Sequence, residues 1–298
     1  MKYISVAETA KKWQVSERTV RNYCANGKIA DAFLTGKTWN LPETAQRPDR
    51  VNKKTKTPQT LLEVLKAEKN GNVRGGIYHK VQIELTYNSN HMEGSRLTHE
   101  QTRFIYETNT IGVSEGAVRV DDIVETVNHF RCIDLIIDNA MRPLSETMIK
   151  QLHQILKNGT NDSRKGWFAV GAYKKLPNEV GGNETTPPEQ VAAQMKGLLA
   201  SYNRKQHVTL QDLLAFHADF ETIHPFQDGN GRIGRLLLFK ECLRFNIVPF
   251  IIDEEMKWFY YRGLRQWNTE RGYLTDTCLA AQDKFKTYLD YFRIPYTK

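Results

Sequence analysis

One segment divides this chain. From Pro42 to Pro58 it reads PETAQRPDRVNKKTKTP, with three prolines, five basic residues and a single aliphatic side chain beyond alanine. Such a stretch cannot bury enough apolar surface to offset the entropy of ordering it. No continuous core can run through it. We therefore expect residues 1–45 to form one domain, residues 46–58 a basic linker, and residues 59–298 a second domain large enough for a full core.

Charge follows the same division. Residues 1–60 carry twelve Lys/Arg against five Asp/Glu, whereas the rest of the chain carries thirty against twenty-nine. A compact basic segment is the footprint of a nucleic-acid contact, because Lys and Arg displace counterions from phosphates. A solvated basic face would carry the same charge. At 40% apolar and 26% charged residues, the chain has the composition of a soluble globular protein. Its longest apolar runs, Ile247–Ile252 and Leu236–Phe239, are far short of the roughly 18 residues of a membrane span. No apolar signal stretch follows Met1-Lys2. The four cysteines, Cys24, Cys132, Cys242 and Cys278, form no C-x-x-C pair. That argues for reduced thiols and a cytoplasmic setting, with no membrane contact.

Ser5-Val6-Ala7-Glu8 reads as a capping box, and Val6, Ala10 and Trp13 then recur at helical spacing. After a break at Gln14-Val15, Ser16 is a second N-cap, followed by Val20, Tyr23 and Cys24 on one face and by Gly27 as a stop. Two short helices with a tight turn suggest a helix-turn-helix, with Thr35-Gly36-Lys37 as the turn of a following hairpin. The pattern resembles the small winged helix-turn-helix modules of excisionase and MerR-type proteins. Arg18, Thr19, Arg21 and Asn22, on the second helix, are the candidate DNA contacts.

Helical periodicity fills most of the second domain, over residues 61–69, 77–92, 99–106, 117–141, 145–156, 189–202, 210–222, 230–245, 254–267 and 275–292. The exception is 163–188, where Trp167-Phe168-Ala169-Val170 precedes Gly171, Pro177, Gly181-Gly182 and Pro187-Pro188. This reads as a β-hairpin flap between helices. The expected fold is thus mainly α, with a short hairpin flap and a small winged helix-turn-helix in front.

The segment His224-Pro225-Phe226-Gln227-Asp228-Gly229-Asn230-Gly231-Arg232-Ile233-Gly234-Arg235 lies between two predicted helices. Gly229, Asn230 and Gly231 can aim backbone N–H groups at one anion where a helix begins. Arg232 and Arg235, three apart, can present their guanidinium forks to one polyphosphate. Asp228 offers a hard oxygen suited to Mg²⁺, and His224 can accept a proton near neutral pH. Gly229-x-Gly231-x-x-Gly234 also matches the dinucleotide fingerprint, but that fingerprint must follow a strand, and residues 213–223 have helical spacing. No G-x-x-x-x-G-K-[ST] loop is present.

Every defined position of this segment matches H-P-F-x-[DE]-G-N-G-R-x-x-R, so that it resembles the signature of the Fic family, and the likeness extends over about residues 60–295. The resemblance implies a helical domain that transfers AMP from ATP to a Tyr, Ser or Thr hydroxyl of a protein, itself included, with release of pyrophosphate. By the same resemblance His224 is the base, Phe226 a core anchor, and Asp228 the Mg²⁺ ligand. Gly229, Asn230 and Gly231 would hold the α-phosphate and leaving group, with Arg232 at the β-phosphate and Arg235 at the γ-phosphate. Gly181 and Gly182 would border the nucleotide, and Tyr260 and Asn268 would lie by the adenine. The flap edge at Trp167–Val170 would pair with an extended target. Gly231 stands where a related phosphotransferase type has Lys, which favours AMP transfer.

Ser89-Asn90-His91-Met92-Glu93-Gly94 resembles the family's inhibitory motif, [ST]-x-x-x-E-[GN]. Glu93, on the last turn of a helix ended by Gly94, would reach Arg235 in place of the γ-phosphate, with Ser89 steadying the Asn230 region. In relatives the same glutamate also supports removal of AMP. The rival expectation is a DNA-binding transcriptional regulator whose Fic domain only senses nucleotide. A homodimer is compatible with either.

Overall fold

The computed structural model of the chain describes residues 2–48, 60–112 and 117–296. They fall into two compact units, divided between Thr57 and Pro58. Most of the expected linker, residues 49–58, lies outside the described residues.

In the first unit the Ser5 Oγ accepts from the Glu8 N–H at 3.2 Å while the Glu8 carboxylate accepts from the Ser5 N–H at 2.8 Å. This exchange satisfies donors that a helix start leaves open. It opens α1 (Val6–Trp13), and Ser16 caps α2 (Glu17–Ala25). Gly36, at φ 63°, turns the expected hairpin between β2 (Phe33–Thr35) and β3 (Thr38–Pro42). A strand that sequence periodicity did not announce, β1 (Tyr3–Ser5), pairs antiparallel with β3 to give the order β1-β3-β2. Pro42 stands opposite Tyr3. The segment defined by composition therefore begins inside a strand, at its last residue, where a proline gives up little pairing. Val20 and Leu41 are fully buried, with Val6, Ala10 and Trp13 around them.

The second unit is built of α3 (Leu61–Asn70), α4 (Ile77–Met92), α5 (His99–Thr108), α6 (Val120–Asp138), α7 (Glu146–Lys157), α8 (Pro188–Asn203), α9 (Leu210–Ile223), α10 (Asn230–Phe245), α11 (Lys257–Arg265) and α12 (Gly272–Tyr291). Two helices are shorter than their periodicity predicts. Asn139 donates its side-chain amide to the Leu135 carbonyl at 2.9 Å, and α6 stops there. Asp253 accepts the Met256 N–H at 3.1 Å, which makes 253–256 a turn and delays α11 to Lys257.

The flap also departs from expectation. Its strands are β4 (Glu179–Val180) and β5 (Asn183–Glu184), and Trp167–Val170 is not a strand. Turn chemistry explains the shift: Gly181 and Gly182, at φ 57° and 80°, supply the left-handed pair that a two-residue hairpin loop demands. Phe168 instead turns inward, its ring 6.1 Å from that of His153.

At the centre lies α10, with thirteen of its sixteen residues buried. A helix covered on all sides is a core element rather than an amphipathic surface one. Even its charged pair is internal, as Lys240 donates to Glu241 at 2.5 Å and Tyr202 donates to Glu241 at 2.8 Å. Among the described residues no helix is long and apolar enough to cross a membrane. We expect Leu237→Ala, at a fully buried position of α10, to cost about 2–5 kcal/mol in urea unfolding; a loss under about 1 kcal/mol would deny α10 its central place.

Candidate active site

Residues 224–229 turn the chain from α9 into α10. His224 closes α9 in the left-handed region, at φ 51° and ψ 62°, with its N–H on the Phe220 carbonyl at 2.9 Å. Such a conformation costs a non-glycine residue on the order of 1–3 kcal/mol unless its surroundings impose it. They do. Phe226 is fully buried, and its ring lies parallel to that of His153, 4.0 Å between centroids and 5° between planes. Asn230 Oδ1 accepts from the Phe226 N–H and Asn230 Nδ2 donates to the Phe226 carbonyl, both at 2.8 Å. Gly229, at φ 84°, then starts α10, and no side chain caps that helix. Its first N–H groups stay available to an anion.

His224 is mostly buried, and its Nδ1 is 3.3 Å from the Glu221 carbonyl oxygen. Burial, with the nearby Lys174 charge, lowers its pKa to about 4 against the opposing pull of that carbonyl, Glu93 and Asp228. At pH 7 the imidazole is free to accept a proton. Burial also pushes the Glu221 carboxyl up to about 8.

Each arginine of the motif is held by a carboxylate. Arg235 donates to Glu93 Oε1 at 2.7 Å, and to the Ser89 Oγ and carbonyl at 3.0 Å each. Ser89 thus steadies Arg235, not the Asn230 region as the sequence suggested. Gly231 makes room for this: a Cβ there would lie 2.4 Å from Glu93 Oε1 and 2.9 Å from Arg235 Nη1. Arg232, 3% exposed, belongs to a closed ring of charges. It donates to Glu125 and, at 3.2 Å, to Asp228; Lys157 donates to the same Glu125 and, at 2.6 Å, to the same Asp228 oxygen. Burial opposes the Asp228 charge, but Arg232 and Lys157 outweigh it and hold the carboxyl well below the usual range.

Asp228 is the most exposed member of the ring, at 43%. Among the described residues no group of three or more His, Cys, Asp or Glu could hold a metal. A cation here would therefore take one carboxylate from the protein and its other oxygens from phosphates and water, a set that fits Mg²⁺.

The expected residues do not all converge. Gly181 and Gly182 form the exposed tip of the hairpin. Asn268 is exposed in the turn after α11. Tyr260 is 1% exposed and its hydroxyl lies 2.5 Å from His217 Nε2, so it is a core residue with no face for an adenine. Its neighbour Tyr261 is partly exposed and donates to the Met92 carbonyl at 3.3 Å, beside Glu93. Sequence reading also missed Glu125, His153 and Lys157. The signal for two of them is present, since His153 and Lys157 fall on the same apolar stripe as Ile149, Leu152 and Leu156. His153 Nδ1 accepts from the Gly171 N–H at 2.9 Å while Nε2 faces the Asp228 carbonyl at 3.2 Å, joining the flap to the loop. In the first unit, Arg18, Arg21 and Asn22 are exposed on α2; Arg21 pairs with Glu17 at 2.7 Å, and Thr19 shares a hydrogen bond with Ser16.

Buried histidines make stability depend on pH. His129 and His217 are lowered to about 3, by burial first and then by Arg232 and Arg235 for His129 and by Arg235 for His217. Between about pH 6.5 and pH 3 the unfolded chain binds these protons and the folded one does not, so stability falls as pH falls, by up to about 1.4 kcal/mol per pH unit for each histidine. We expect His129→Gln to lose stability less steeply than the parent between pH 6.5 and 4.5 in urea titrations; equal slopes would remove His129 from the account.

Comparison with known proteins adds to this geometry. The Fic/DOC family profile matches residues 143–241. Over 200 residues, 64% of this chain, it is 27% identical to a protein from Drosophila grimshawi named protein adenylyltransferase Fic, covering 37% of that protein. A protein of the same name from Nematostella vectensis is 28% identical over 191 residues, 61% of this chain and 42% of its own length. The chain thus spans less than half the length of these curated relatives. Among solved structures, a Fic-domain-containing signaling protein from Bacteroides thetaiotaomicron superposes with a TM-score of 0.58 at 28% identity, covering 77% of this chain and 90% of that one. Fic-1 from C. elegans gives 0.62 at 18% identity, covering 78% and 71%, a likeness of fold.

Proposed function

Because this chain carries a Fic domain, we propose that it is a protein adenylyltransferase held in check by Glu93. The hydroxyl oxygen of a Tyr, Ser or Thr side chain attacks the α-phosphorus of ATP. The bond from that phosphorus to the bridging oxygen breaks, and pyrophosphate leaves. His224 takes the hydroxyl proton. The observation that carries this reading is an imidazole held at the turn into an uncapped helix start that also carries two buried arginines. A domain that only sensed nucleotide would need no base there.

Mg²⁺, held by Asp228, would supply neutralising charge on the phosphates. The N–H groups from Gly229 to Gly231 receive the α-phosphate, and Arg232 and Arg235 receive the outer ones. In the resting state both arginines already have carboxylate partners. ATP must therefore displace Glu93 from Arg235, a charge-assisted contact of about 1.5–3 kcal/mol, before its tail can settle. Removing AMP from a modified protein is the companion activity by which Glu93 would act on water.

The test is intact-mass analysis after incubation with ATP and Mg²⁺. Glu93→Gly should raise self-labelling by about tenfold or more, as expected for loss of a contact of that size. His224→Ala in the same background should abolish it. Equal AMP uptake with and without His224 would sink the assignment.

A second reading concerns the first unit, where Arg18 and Asn22 are exposed on α2 on the side away from Val20 and Cys24. We propose that this face contacts duplex DNA. In mobility shifts Arg18→Ala should weaken binding and reduce the salt slope by about 1; binding that ignores salt would count against it.

A further inference from the structure

Lys174 stands where the flap meets the helical body, and the reaction above leaves it without a task. It is 4% exposed, yet none of the ion pairs among the described residues includes it. Its Nζ donates instead to Asn178 Oδ1 at 2.7 Å, to Thr185 Oγ1 at 2.5 Å and to the Ile223 carbonyl at 3.5 Å. Its backbone N–H donates to the Pro225 carbonyl at 2.9 Å. Asn178 comes just before β4 and Thr185 just after β5. These two are themselves joined, as Thr185 Oγ1 donates to the Asn178 carbonyl at 2.9 Å, and Asn178 Nδ2 donates to the Phe226 carbonyl at 3.0 Å. One ammonium, with three donors, thus meets three neutral acceptors drawn from both stems of the hairpin and from the residue before His224.

Burying a cation without a counter-ion is expensive, and a neutral side chain would be the more stable occupant if packing were the whole purpose. We propose that Lys174 is a positioning residue for AMP transfer, whose ammonium ties both stems of the β4–β5 hairpin to the Ile223 carbonyl just before His224 while its backbone N–H holds the Pro225 carbonyl just after it, so that flap and base move as one body. This rests on the adenylyltransferase reading. The electrostatics agree with the geometry. Burial lowers Lys174 to about 8, which leaves it largely charged at pH 7. Its charge helps to lower His224, against the Glu221 carbonyl and the Glu93 and Asp228 carboxylates; the Glu221 carboxyl is 3.9 Å from the same ring.

The experiment compares Lys174→Met and Lys174→Arg, each in the Glu93→Gly chain, by hydrogen exchange and by self-labelling. In the Met variant the amides of residues 176–186 should exchange about tenfold faster or more, with those of α9 and α10 unchanged. Its labelling rate at saturating ATP should fall about tenfold or more, as expected for lost orientation, with the ATP concentration for half-maximal rate within about twofold. The acid limb of its pH–rate profile should move to higher pH. Lys174→Arg, which keeps charge and donors, should retain most of the rate. Parental exchange and parental rate in the Met variant would overturn the proposal, as would equal loosening of α9, α10 and the flap, which marks a packing residue. If the Glu93→Gly parent itself takes up no AMP, the adenylyltransferase reading fails first. Labelling in the parent together with undiminished labelling in the Met variant would overturn the Lys174 role alone.

Discussion

The site depends on a pair of hydrogen bonds that a single side chain makes with the backbone of one residue. Asn230 accepts from the Phe226 N–H and donates to the Phe226 carbonyl, closing the turn between α9 and α10 at 2.8 Å on both sides. Both groups are buried, and losing that amide would leave the Phe226 N–H unsatisfied, at about 1–3 kcal/mol, while the carbonyl would keep only the Asn178 amide at 3.0 Å. The closure also fixes direction. With Phe226 clamped against His153, His224 is held left-handed at the end of one helix while Gly229 opens the next. His224 and the uncapped N–H groups of α10 therefore share one rigid turn, and neither could be relocated without the other.

The charges behind that turn are arranged to be satisfied without a ligand. A buried guanidinium left alone would destabilise the fold, and here α4 and α6 each send a carboxylate to one arginine. The two are not equivalent. Glu125 shares a closed ring with Lys157, Asp228 and Arg232, where opening one contact disturbs three others. Glu93 lies at the C-terminal end of α4, followed by Gly94 at φ 91°, and is 23% exposed. The contact to Arg235 is thus the one made from a helix end. The contact to Arg232 is made from within the ring.

Much of this was legible in sequence because it is encoded by neighbours. The capping box at Ser5 lies where local chemistry predicts it, and α4 and α10 run over the expected 77–92 and 230–245. The Glu93–Arg235 pair was also legible, though 142 residues separate the partners, because each carries its own motif. What escaped has no local signal of its own. Glu125 is one acidic residue in a helix, and its partners come from α7 and α10. β1 is three residues long and has no pattern until β3 comes beside it. Tyr260 was misplaced for a different reason. The family resemblance alone put it by the adenine, and only packing shows that its hydroxyl is spent on His217.

Two glycines inside α10 show how stability and chemistry divide the same helix. Each costs roughly 0.5–1 kcal/mol in helix propensity relative to alanine. Both are needed by close approach. A Cβ on Gly231 would intrude on the Glu93–Arg235 contact, and one on Gly234 would lie 2.4 Å from Glu221 Oε1 and 2.8 Å from His217 Cε1. The helix recovers that loss by burying Ile233, Leu236, Leu237 and Phe239 almost completely. Its apolar residues hold it at the centre of the fold, and its small ones let Glu93 reach Arg235 and let Glu221 and His217 of α9 pack close against it.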